Sequence, residues 1–142
     1  MGHTGEEIVK FQDTAAFIAE ELHGLACFGE SVANNTVAKG FRELDPPLTR
    51  EIVSTFTSNL HGEVSELWEA YRAGKLSEPC DKAEKMKAMG LVPLTYAEEE
   101  IADIIIRALD TANAIGVDVR IALAVKHLYN TTRERLHGGK KA

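Results

Sequence analysis

Glu63 and Glu66 stand three apart in the stretch L-H-G-E-V-S-E-L-W-E-A-Y-R (60–72), and Glu100 and Asp103 repeat that spacing in a later helical pattern. Residues three apart share a helical face. Two such helices packed together would direct four carboxylates at one small volume, where repulsion is costly unless a cation or protons neutralise it. A third set, Lys126, Asn130 and Arg133, is spaced by four and then three and shares one face of a further helix. Together the sets suit magnesium-assisted hydrolysis of a phosphate ester or anhydride. Magnesium takes carboxylate oxygens, keeps waters and bridges to phosphates, and the cationic stripe offsets phosphate charge. Each set alone has a plainer explanation, because Glu is a good helix former and charged helical faces usually sit in water.

The elements that must position these residues follow from periodicity and punctuation. A first helix is expected from about Asp13 to Val32, capped by Asp13 or Thr14 and stopping near Asn34-Asn35. Lys39-Gly40-Phe41 and Asp45-Pro46-Pro47 supply a connection. Thr49 opens a second helix whose stripe Ile52, Phe56, Leu60, Glu63, Leu67 puts Glu63 in line with the buried face. Gly62 inside it costs about 1 kcal/mol against Ala, acceptable where a backbone or ligand approaches closely.

Residues 74–94 read as a loop-like insert holding at most a short amphipathic turn or two, and a connection of that length is usually functional. Thr95-Tyr-Ala-Glu98 is a capping box that starts a third helix, apolar through Ile101, Ile104, Ile105, Ala108, Leu109, Ala112 and Ile115 and ended by Gly116. Asp118 caps a fourth helix expected to reach Leu136, followed by a polar tail over 137–142. Four helices without a convincing strand or repeat predict an all-α bundle forming one domain over 1–142.

Composition bounds the chemistry. The chain has 142 residues, 44% of them hydrophobic and only 6% aromatic, as expected of a globular helical protein. Its net charge is −6, so nucleic acid is not expected as a partner, since no broad basic surface is available to displace counterions. Cys27 and Cys80 make no disulfide framework, and a reduced, cytoplasmic setting is expected. Neither a signal peptide nor a membrane span is predicted.

Two other uses of inward carboxylates compete. A ferritin-like di-iron site needs Glu-x-x-His motifs, and Glu20-x-x-His23 and Glu134-x-x-His137 are present. The second sits at a fraying helix end, and the motifs fall on the first and last helices. A non-catalytic binding or scaffold bundle would leave every acid solvated.

The segments E-V-S-E-L (63–67), E-E-I-A-D-I-I-I-R-A-L-D (99–110) and K-H-L-Y-N-T-T-R-E-R-L-H-G-G-K (126–140) resemble the MazG-like branch of the all-α nucleoside triphosphate pyrophosphohydrolases. Lys39-Gly40-Phe41 is also similar to a segment that follows the first helix there. The resemblance covers the second to fourth helices. It implies a MazG-like bundle of four core helices, assembled as a homodimer or dimer of dimers. The implied reaction is hydrolysis of ribo- or deoxynucleoside triphosphates between the α and β phosphates, giving monophosphate and pyrophosphate and clearing the nucleotide pool.

By position, Glu63, Glu66, Glu100 and Asp103 match the family's magnesium ligands, with manganese as a substitute, and Glu63 and Glu66 are the candidates for the catalytic base. Lys126 and Asn130 match its substrate contacts, and Arg133 is a further phosphate contact. The segment between Glu66 and Glu100 departs from the family's short link, which leaves the pocket wall open. His23, Asn34, Asn35, Phe41 and Trp68 are possible base-lining residues, although Trp68 is expected to be buried between helices. Asp110 stands outside the metal set as either a further ligand or a charge beside Arg107, and His61 is expected at the surface.

Overall fold

A computed structural model describes residues 2–134, and these form six α-helices: α1 (Gly5–Glu21), α2 (His23–Ala38), α3 (Arg50–Arg72), α4 (Ala83–Ala88), α5 (Tyr96–Ile115) and α6 (Val119–Thr131). Among the described residues no strand occurs, and one isolated antiparallel bridge joins Pro79 to Thr95. No helix among them is long and apolar enough to cross a membrane.

The first helix differs from expectation at both ends. It starts at Thr4, whose hydroxyl accepts from Glu7 N–H while the Glu7 carboxylate accepts from Thr4 N–H. This capping box satisfies two of the donors that a helix start leaves unpaired. Thr14, expected as a cap, lies mid-helix and donates its hydroxyl to Lys10 O. The helical run is interrupted once, at Leu22 (φ −86°, ψ 6°), which ends α1 and begins α2. It then continues past Asn34-Asn35 to Ala38, so the expected single helix is two.

The starts of α3, α5 and α6 match their sequence signals. Thr49 accepts from Ile52 N–H, Thr95 and Glu98 form a reciprocal capping box, and the Asp118 carboxylate accepts from the N–H groups of Arg120 and Ile121. Gly74 ends α3 at φ +70°, a conformation that costs a residue with a Cβ 1–2 kcal/mol. The amides of Gly74 and Lys75 turn back to Tyr71 O and Ala70 O, which aims the insert toward the start of α5.

α5 is the central element, packed against α3 on one side and α2 on the other, while α6 lies mainly against α1. Leu109 of α5 meets α2 at Gly29, where even a Cβ would sit in ordinary contact at 3.6 Å, so the two backbones approach closely. Arg42, in the connection after α2, is almost fully enclosed. It pairs with Asp110 at 3.0 Å and donates to Asn113 and to the carbonyls of Glu43 and Leu44. Asp110 is therefore engaged by Arg42 in tying this connection to α5. The buried apolar set is small, comprising Ala33, Phe56, Ala70, Cys80, Ala83, Leu109 and Ala124. Among the described residues no large side chain is fully buried, and Val53, Val64, Trp68 and Tyr71 of α3 and Ile101 and Ile105 of α5 face outward.

Candidate metal centre and adjoining cavity

The α3–α5 contact brings Glu63, Glu100 and Asp103 together, with one carboxylate oxygen from each within 4.8 Å of the others. Glu63 reaches this point because it lies in line with Phe56 and Ala70 on the buried face of α3. Glu100 and Asp103 follow from the α5 register that the Thr95 cap sets. Glu66, one turn beyond Glu63, stays exposed and is not one of these three, but it lines the same cavity as Glu100.

Within the cluster the carboxylates are crowded and partly buried. Glu100 is only 6% exposed, and its Oε2 atom is buried without a hydrogen-bond partner. Burial first, and then the charges of Glu66, Glu99, Asp103 and Glu63, push its carboxyl from 4.5 up to about 7. Burial and Glu63 likewise raise Asp103, against the pull of Lys82 and Arg107. A buried carboxylate oxygen without a partner, among neighbouring carboxylates, is a group that a hard cation could satisfy, so this all-oxygen donor set could hold a metal ion. The Arg107 guanidinium also faces the cluster, donating from Nε to Glu63 Oε1 at 2.8 Å.

A cavity of about 290 Å³ adjoins the cluster, lined by Glu66, Glu69, Asp81, Glu99 and Glu100 with Lys75, Lys82, Tyr96 and two alanines. The three glutamates at 98–100 thus have three fates: Glu98 closes the helix cap, Glu99 is buried and takes a hydrogen bond from Lys82, and Glu100 enters the carboxylate cluster. Arg107, Glu99, Lys75 and Lys82 were not singled out by sequence. Only Glu99 carried a visible signal, as the immediate neighbour of Glu100 on a capped helix.

The α6 stripe stands elsewhere. Lys126 and Asn130 are exposed, the Lys126 ammonium lies 5.0 Å from the Tyr129 ring centre, and Arg133 falls two residues past the end of α6. None of the three lines the acidic cavity. The helix expected to reach Leu136 ends at Thr131, and Leu136, His137 and the 137–142 tail lie outside the described residues. Trp68 is 58% exposed and stacks on Tyr71 at 5.3 Å, contrary to the expected burial, because no element among the described residues covers that face of α3. His23, Asn34, Asn35, Phe41 and His61 are all exposed. His23 follows the break at Leu22 and approaches Cys27 Sγ at 3.5 Å, so the Glu20-x-x-His23 pair does not sit on one continuous helix.

Comparison of the chain with protein-family models, curated proteins and solved structures gave no match.

Proposed function

We propose that the protein is a magnesium-dependent nucleoside triphosphate pyrophosphohydrolase that cleaves between the α and β phosphates. The observation that carries this reading is the Glu63, Glu100 and Asp103 cluster with its orphaned Glu100 oxygen, beside a cavity that also holds lysines. Glu63, Glu66, Glu100 and Asp103 would hold the cation, and manganese would substitute for it. When bound, the metal neutralises these carboxylates and polarises the phosphoryl oxygens.

The chain's own residues then have distinct tasks. Glu63 is restrained by Arg107, whereas Glu66 is exposed and free of any ion pair among the described residues, which favours Glu66 as the base. Its carboxylate accepts a proton from the attacking water as the new oxygen–phosphorus bond forms at the α phosphorus. The bond from that phosphorus to the bridging oxygen breaks, and pyrophosphate leaves with the electron pair. Lys126, Asn130 and Arg133 are assigned to the substrate. Because they do not line the acidic cavity of their own chain, we assign that contact to an oligomer in which α6 of one copy serves another.

The outward apolar rows on α3 and α5 and the scarcity of buried large side chains favour such a homodimer, or a dimer of dimers. The reading places the enzyme in the cytoplasm, clearing nucleotides from the pool.

Its test is incubation of the purified protein with a panel of ribo- and deoxynucleoside triphosphates, with magnesium and with chelator. Monophosphate and pyrophosphate that vanish with chelator are expected; orthophosphate and diphosphate would overturn the assigned bond. Glu66→Gln should stay folded and lose activity by about a hundredfold, within the range of general base catalysis.

A further inference from the structure

The insert between α3 and α5 is held in place. Its residues 76–80 run beside 94–97, with Cys80 N–H donating to Leu94 O, Tyr96 N–H to Glu78 O and Ala97 N–H to Leu76 O. Within it, Cys80 and Ala83 are buried. This fixes Lys82, between those two anchors, next to the first turn of α5. Its ammonium donates to Glu99 Oε1, yet its side chain remains 58% exposed.

The cavity wall it joins has five carboxylates, namely Glu66, Glu69, Asp81, Glu99 and Glu100, and two ammonium groups, Lys75 and Lys82. Lys75 stands on the same wall, 6.0 Å from the Tyr96 ring centre. An ammonium has three N–H donors, and Glu99 takes one. Lys82 is thus a tethered cation with donors to spare, bordering the same cavity as Glu66 and Glu100.

We propose that Lys82 binds the pyrophosphate end of the substrate, with Glu99 as the residue that positions its ammonium. The inference rests on the pyrophosphohydrolase reading and deepens it. At the bond to be cleaved the carboxylates and their cation manage the charge, whereas the departing pyrophosphate carries the larger negative charge away from that point. A point charge with free donors is the usual partner for such phosphate oxygens. Glu99 need not be released, so its buried carboxylate is never left unpaired. Loss of the Lys82 charge should therefore weaken pyrophosphate and leave the nucleoside monophosphate alone, a distinction that a merely structural ion pair would not make.

Calorimetric titration of the full chain with magnesium pyrophosphate, and separately with a nucleoside monophosphate plus magnesium, decides this. Lys82→Met should weaken pyrophosphate by about tenfold or more, as expected for a lost charge-assisted hydrogen bond, and leave the monophosphate within about twofold. Lys82→Arg should recover most of the loss. Lys87→Met, which removes a charge from the same insert but does not line the cavity, should match the wild type. Lys82→Gln, which keeps a donor for Glu99, serves if the Met variant unfolds and should show the same selective loss. Unchanged pyrophosphate affinity in the Met or Gln variant would overturn the Lys82 assignment while leaving the enzyme reading intact. Equal loss of both ligands would also overturn it, marking Lys82 as a purely structural anchor. Wild-type protein that binds no pyrophosphate in magnesium would overturn the pyrophosphohydrolase reading, and this inference with it.

Discussion

At the scale of single residues, Glu100 is the most exacting feature. Its carboxyl is raised from 4.5 to about 7, so the folded chain keeps a proton there at pH values where the unfolded chain has lost it. The folded state therefore binds more protons, and this group's contribution falls as pH rises from about 4.5 to about 7, then levels off. In chelator, thermal melts across that window should show the wild type losing stability relative to Glu100→Gln, and added magnesium should reverse the loss. Parallel pH curves for the two proteins would contradict the burial of an unpaired carboxyl. The meeting of Glu63 with Glu100 and Asp103 was legible from spacing, because Glu63 lies in line with the buried stripe of α3, whereas Glu66, on the same spacing, stays exposed outside the cluster. The fates of Arg107 and Asp110 were not. Both lie within reach of several acids or cations along the chain, and only the packed geometry sends Arg107 to Glu63 and Asp110 to Arg42.

At the scale of elements, the caps fix the site's register. Thr95 accepts from Glu98 N–H, Glu98 in turn accepts from Thr95 N–H and hydroxyl, and the next two residues are Glu99 and Glu100. Thr95→Ala should cost about 1 kcal/mol of stability, the usual value of an N-cap. It should also weaken magnesium binding, since the cluster carboxylates of α5, Glu100 and Asp103, stand only five and eight residues past that cap; calorimetry with magnesium alone checks this, and unchanged affinity would mean that packing against α3 holds the register unaided. α3, α5 and the start of α6 were readable because an apolar stripe and an oxygen-bearing cap coincide in each. The start at Thr4 carries the same signature, T-x-x-E, but precedes the region where apolar periodicity is evident, so periodicity alone places the helix start too late. The insert hid its content for another reason. D-K-A-E-K-M-K-A-M reads as a solvated amphipathic turn, and Lys82 becomes distinct only through the pairing of 76–80 with 94–97, which no local pattern announces.

At the scale of the whole molecule, the buried apolar set is small, and the outward rows on α3 and α5 are the surface that the proposed dimer would cover. The stripe Val53, Val64, Trp68, Tyr71 recurs at helical spacing beside the row that carries Glu63, so one helix presents an apolar face for packing and an acidic face for chemistry. A stable dimer buries about 1,200–2,000 Å² in total, and an aromatic anchor such as Trp68 is the kind of residue that dominates such an interface. Trp68→Glu should shift the protein toward monomer in light scattering coupled to size exclusion, and activity should fall with it because α6 would no longer reach a neighbouring site. A Trp68→Glu protein that keeps both its mass in solution and its activity would move the interface elsewhere.

In the proposed reaction, water attacks the α phosphorus at the Glu63, Glu66, Glu100 and Asp103 cluster. Hydrolysis of a deoxynucleoside triphosphate in ¹⁸O-labelled water with magnesium, followed by ³¹P NMR, tests it most directly. The label should appear in the nucleoside monophosphate, with unlabelled pyrophosphate as the other product and no reaction in chelator. Label in pyrophosphate or orthophosphate would contradict it.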